Sequence, residues 1–123
     1  MDSQFLRQLQ DVHLSIWKEK DADKRAALMP SIYSENIRMF DRDFILNGNQ
    51  EISDFISKLH SADGHFEFAA SRPIEATQHC ARLFWTIQTK ATGEPMTGMD
   101  MFIIENERVT QLFVFIDHAA PKL

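Results

Sequence analysis

The chain has 123 residues, 44% of them apolar and 25% charged, a net charge of −5, and an aromatic content of Phe 10, Trp 2 and Tyr 1. That length predicts one domain over residues 1–123, large enough to hold a core without metal or disulfide staples, and the apolar fraction excludes a disordered chain. The acidic balance disfavours phosphate backbones, the lone Cys80 excludes an intramolecular disulfide, and no run approaches the ~20 apolar residues of a membrane span, so no nucleic-acid or membrane partner is expected.

Phe5, Leu9, Val12, His13, Ile16 and Trp17 recur at helical spacing and predict a first helix from about Ser3 to Lys20. Met1 to Gln10 lacks the apolar stretch of a signal peptide, so a soluble cytoplasmic protein is expected. Lys18 to Arg25 is mixed in sign and reads as a solvated helix junction. Asp21 and Asp23 offer caps for a second helix that Pro30 ends. Ile37 to Asp41 predicts a strand, and Phe44 to Leu46 its hairpin partner. Asn47-Gly48-Asn49 then turns into a third helix carrying Ile52, Phe55, Ile56 and Leu59, which stops near His60 to Gly64.

Beyond Gly64 the apolar period changes to two. Strands are predicted at His65–Gln78, His79–Thr89, Thr97–Glu105 and Val109–Asp117, joined by short turns into an antiparallel meander. The order of elements means α+β, a curled sheet wrapped on helices. Both faces of the late strands are apolar. Leu83, Trp85, Ile87, Val114 and Ile116 share the face turned to the helices and are either candidate walls of an apolar ligand pocket or plain core packing. Phe113 and Phe115 lie on the other face, where a second subunit is expected to cover them as a homodimer through the outer sheet face, the alternative being cover by C-terminal residues of the same chain.

The order of elements, the Tyr33–Asp41 segment YSENIRMFD, the NG-x-x-E-I-x-x-F opening of the third helix and the M-D-x-F-x-I-E-N-x-x-V stretch from Met99 to Val109 resemble the NTF2-like superfamily, within it the SnoaL-like polyketide cyclase and ketosteroid isomerase branch. The resemblance covers nearly the whole chain. It implies a cone of three helices packed on a curved antiparallel sheet, enclosing an apolar pocket and usually dimeric through the sheet. Carried over residue by residue, it places a proton-moving carboxylate at Asp41 and a second acid, donating to an enolate, at Asp100. The partner tyrosine of the first helix falls on Trp17, and that of the third helix on Ile56. Indole donates but does not titrate. Tyr33 is the remaining hydroxyl candidate and joins the expected ligand-binding positions.

The residues also support a reading of their own. Asp100 lies between Met99 and Met101, so its carboxylate must be protonated, paired or facing a wet cavity. Asp41 starts an Asp-Arg-Asp run that is either a general base at a strand end or an ordinary surface turn. His13, on the apolar stripe of the first helix, is either a satisfied core histidine or an acid/base partner of Asp100 or Asp41. No His or Cys spacing suits a metal, and no cofactor motif occurs, so neither is expected. The chemistry expected is acid–base work on a small apolar carbonyl compound by Asp41 and Asp100, with Trp17 and His13 assisting. The alternatives are a binding module that keeps the pocket and a dimeric scaffold with a filled cone.

Overall fold

In the computed structural model, which describes residues 1–62, 66–89 and 95–117, the first helix, α1, spans Ser3–Lys18. Asp2 caps it by accepting the Phe5 backbone N–H at 2.7 Å. The helix stops two residues before the predicted Lys20. Its buried side, Phe5, Leu9, His13, Leu14, Ile16 and Trp17, adds Leu14 to the stripe read from the sequence, while Val12 of that stripe is only partly buried. Helix α2 (Ala22–Leu28) is capped by Asp21, which accepts the backbone N–H groups of Asp23 and Lys24. Pro30 ends it in one 3₁₀ turn over Met29–Ser31.

The solvated junction expected at Lys18–Arg25 is corrected at its last residue. Arg25 is fully buried. Its guanidinium donates to the Glu19 carbonyl at 2.6 Å, the Ser53 Oγ at 3.0 Å, the Ser53 carbonyl at 2.9 Å and the Ser57 Oγ. Burial pulls its pKa below the usual guanidinium range, and the charges of Glu19, Asp21 and Asp54 oppose that shift. A cation buried this way fastens α2 to the following long helix by acceptors that a sequence pattern does not reveal.

Strand β1 (Tyr33–Phe40) leads into β2 (Ile45–Asn47), which pairs antiparallel to it as the predicted hairpin. Helix α3 (Gly48–Ala62) follows directly. Gly48 has φ +82°, a conformation that favours glycine, and Glu51 accepts the Asn47 backbone N–H at 2.8 Å. The predicted stop at His60–Gly64 overlaps the helix end at Ala62; residues 63–65, including Gly64 and His65, lie outside the described residues.

The long strand predicted over His65–Gln78 is instead two, β3 (Phe66–Ala70) and β4 (Glu75–Thr77), interrupted around Pro73. Strands β5 (Cys80–Thr89), β6 (Met96–Glu105) and β7 (Arg108–Ile116) match the expected meander within a residue or two. Asn106 and Glu107 both have positive φ, 52° and 56°, the geometry of a two-residue hairpin turn. The turn expected at Ala91–Pro95 lies outside the described residues apart from Pro95.

The sheet order is β2-β1-β7-β6-β5-β3, with β4 paired to β5. Among the described residues all pairings are antiparallel except one: β1 runs parallel to β7, with Met39 opposite Leu112. The curved sheet is therefore mixed rather than purely antiparallel. The parallel pair arises because helix α3 and five other strands intervene between β1 and β7, which is ample length for a crossover. Three helices on such a sheet make the expected α+β cone. Ala81, Leu83, Trp85, Ile87, Phe102, Ile104 and Leu112 turn inward and are buried. On the opposite face Phe113 stacks on Phe40 with centroids 4.7 Å apart, and Phe115 is 53% exposed. Among the described residues, no helix is long and apolar enough to cross a membrane.

Candidate functional site

Four buried rings and one carboxylate form a continuous hydrogen-bonded chain at the centre of the cone. His13 projects from α1 between Tyr33, at the start of β1, and Asp100, in the middle of β6. Its Nε2 lies 2.8 Å from Asp100 Oδ2, and its Nδ1 2.5 Å from the Tyr33 hydroxyl. Trp17, one turn along α1, donates its indole N–H to the Tyr33 oxygen at 3.2 Å. Trp85, on β5, donates its own to Asp100 Oδ1 at 2.9 Å. His13 and Tyr33 are essentially without solvent contact, and Asp100 is 3% exposed.

The direction of each bond follows from its ends. Both indoles can only donate. Burial pushes the Tyr33 phenol far above its ordinary range, opposed by the Trp17 hydrogen bond and reinforced by the charge of Asp100, so the hydroxyl keeps its proton. That proton has His13 Nδ1 as its acceptor. His13 then carries its own proton on Nε2 and donates it to Asp100. Four N–H or O–H groups thus meet four acceptors, with His13 neutral and Asp100 a carboxylate taking one N–H on each oxygen. Of the three states open to Asp100 in the sequence, pairing is the one realised.

Strand register explains how Trp85 reaches Asp100. Trp85 lies opposite Gly98, and Leu83 opposite Asp100. A side-chain carbon at Gly98 would fall 2.3 Å from the Trp85 ring and 2.5 Å from the Phe115 carbonyl. The bare glycine lets the indole cross β6 and place its nitrogen on the next inward residue, Asp100. Gly98 and the Trp85 N–H were not identified as site features from the sequence. A glycine inside an otherwise apolar strand was the available signal.

Beside this chain lies a small cavity of about 90 Å³. Trp17, Phe55, Phe68 and Trp85 form an aromatic wall, with neighbouring centroids 5.5–6.3 Å apart. Ile87, Val114 and Ile116 add aliphatic lining, and Asp41 and Asp100 both open onto the same space. Asp41 follows β1 and is partly buried; its Oδ1 accepts the Asp43 backbone N–H at 3.1 Å. The ion pair of the Asp41-Arg42-Asp43 run joins Arg42 to Asp43, both exposed, and leaves Asp41 out. Asp41 also lines a larger groove of about 360 Å³ on the outer side, beside Phe40, Phe113 and Phe115.

The structure thus brings Asp41, Asp100, Trp17, Trp85, Ile87, Val114 and Ile116 to one cavity. His13 and Tyr33 stand behind it in the hydrogen-bonded chain, and Leu83 is fully buried in the core under Asp100. Phe55, Leu59, Phe68, Met39 and Met96 also line the cavity and were absent from the expected set. Phe55 and Leu59 are visible in the sequence only as the apolar stripe of α3, which does not distinguish core from cavity wall. Among the described residues, no group of three or more His, Cys, Asp or Glu is placed to hold a metal ion.

No protein-family model matches this sequence, and no curated protein matches it in sequence. Its structure does have relatives. A candidate isomerase of the SnoaL-like family from Agrobacterium tumefaciens superposes with a TM-score of 0.83 at 19% identity, over 94% of this chain and 99% of that one. A candidate SnoaL-like polyketide cyclase from Jannaschia sp. CCS1 gives 0.74 at 11% identity, over 95% and 90%. A de novo designed protein with a curved β-sheet gives 0.71 at 12% identity, over 95% and 88%. That a designed chain shares the architecture underlines that the fold by itself carries no activity.

Proposed function

Starting from the NTF2-like cone fold that this chain shares with SnoaL-like proteins, we propose that the interior cavity is a small-molecule site where Asp41 and Asp100 do acid–base work without a cofactor. The observation that supports it is the convergence of the two carboxylates, from strands that are not neighbours in the sheet, on one cavity with an aromatic wall. In this reading Asp41 removes a proton next to a carbonyl, as in isomerase, cyclase or dehydratase chemistry. Its carboxylate accepts one backbone N–H and keeps lone pairs for the substrate. Asp100, held on both oxygens, takes part through His13, whose Nε2 proton it accepts and can take up. The test is proton–deuterium exchange of small ketones and enones. Wild type should exceed buffer, and Asp41→Asn should lower the rate about a hundredfold. Equal rates for the two proteins would reduce the site to binding.

A second reading, a binding module without catalysis, is favoured by one observation. Both indole N–H groups are already donated to Tyr33 and Asp100, so neither is free to stabilise an enolate oxygen.

The outer face supports a homodimer. Exposed Phe115, Phe113 stacked on Phe40, and the half-buried Met99 and Met101 form an apolar surface of the kind that a second copy of the chain covers. Sedimentation of wild type should give a dimer, and Phe113→Glu with Phe115→Glu a monomer. A monomeric wild type removes this part of the reading.

A further inference from the structure

The polar inventory of the cavity is one-sided. Its side chains with polar atoms, among the described lining residues, are Trp17, Trp85, Asp41 and Asp100. Both indoles spend their only N–H inside the hydrogen-bonded chain. The two carboxylates offer only acceptors in their charged form. Asp100 has one N–H on each oxygen, and each oxygen can accept another. The Asp41 carboxylate has one backbone N–H on Oδ1 and makes no further hydrogen bond or ion pair among the described residues. A ligand entering this space therefore meets acceptors and aromatic rings, with no side-chain donor left over among the described lining residues.

That asymmetry selects a ligand. A carbonyl oxygen placed here would lose its water and find no N–H or O–H in exchange, which is unfavourable. A protonated amine has the opposite chemistry. Its N–H groups are donors that two carboxylates can accept, its charge offsets two like charges sharing an apolar space, and aromatic rings attract it further. We propose that the group recognised at the floor of the cavity is a small alkylammonium, held by Asp41 and Asp100 against the rings of Trp17, Phe55, Phe68 and Trp85. This rests on the reading that the cavity is the ligand site, and since an ammonium paired with Asp41 occupies the base, it favours the binding module over proton removal by Asp41. Any carbonyl in the same molecule lies toward Met96, the most exposed lining residue, where water can serve it. The volume of about 90 Å³ is smaller than the ~150 Å³ cavity known to take benzene, so the buried portion is a few heavy atoms.

Three probes with the same number of heavy atoms separate the possibilities: isopropylamine, isopropanol and acetone, a cation, a neutral donor and a pure acceptor. The chain has two tryptophans, both lining the cavity, so two indole N–H resonances report binding directly. At neutral pH the amine should move these resonances with an affinity roughly tenfold or more above that of acetone, isopropanol falling between. Asp41→Asn should erase most of the preference for the amine while leaving isopropanol binding in place, which also shows that the cavity is intact. If acetone binds as well as the amine, or if the preference survives in Asp41→Asn, the ammonium assignment is overturned and the ligand cavity stands. If none of the three moves either resonance, both fall together.

Discussion

Arg25 and His13 are both completely buried polar side chains on adjacent helices, yet they are satisfied in different ways. Arg25 is surrounded by backbone carbonyls and serine hydroxyls from Glu19, Ser53 and Ser57, and it lines none of the cavities described above. His13 is satisfied by two titratable side chains, Tyr33 and Asp100, and the second opens onto an apolar space. The first cluster is a fastening: fixed donor, neutral acceptors, no freedom. The second is a chain whose bond directions depend on where its protons reside. A buried polar group points to chemistry when its partners are titratable and one of them reaches a cavity.

The largest expected effect comes from the fastening. Arg25→Met should lower stability by about 4 kcal/mol, because the Glu19 and Ser53 carbonyls lose their donors in a dry site. Chemical denaturation measures it. Both indole resonances should stay in place, and a shift of either would show that the two clusters are coupled.

Asp100→Asn should cost somewhat less, about 3 kcal/mol, and disturb the site instead. An amide has one oxygen for the two N–H groups that Asp100 now accepts. Reversing the histidine tautomer would accommodate the new amide but leave the Tyr33 proton without its acceptor. The Trp85 indole resonance should therefore move, and an unmoved resonance would contradict the bond directions assigned here.

Tyr33→Phe, with an expected loss of about 2 kcal/mol, sharpens the comparison through pH. The folded phenol has its pKa raised by burial above the ordinary value of about 10. Below that pH both folded and unfolded chains hold the proton and stability is unaffected. Above it the unfolded chain releases the proton while the folded one does not, so stability falls as pH rises. With a single tyrosine in the chain, phenolate absorbance should appear only together with unfolding. Phenolate formation in the folded protein would show that Tyr33 is open to solvent. Tyr33→Phe should lack this part of the alkaline loss.

Much of the cone was legible because its signals are local. The stripe from Phe5 to Trp17 and the alternation from Ala81 to Ile87 each state a period and a face. Pro73 inside a predicted strand was a local signal too, and it marks where that strand breaks in two. The parallel pairing of β1 with β7 was not legible, since nothing in either strand specifies a partner so distant in sequence. The same limit applies to the site. Asp100 among methionines announces a carboxylate that needs an explanation, and His13 on an apolar stripe announces a histidine that needs one. That each explains the other depends on where α1 crosses β6. Arg25 was misread because charge pattern along a chain says how side chains are ordered, and burial depends on what a later helix brings to cover them.

The bond between His13 and Asp100 spans 87 residues of chain, and Tyr33, the other partner of His13, enters the sheet beside β7. During synthesis the amphipathic first helix is therefore complete long before either β6 or β7 exists. Throughout that interval its apolar stripe has only the earlier elements to meet, as Trp17 does through Phe55 and Phe68, and His13 lacks its carboxylate partner. Such long-range pairing slows closure and leaves sticky intermediates exposed. The chemistry at the centre of the cone and the last step of its assembly thus depend on the same strands, so any lesion that delays the C-terminal hairpin removes the site and exposes the helix at once.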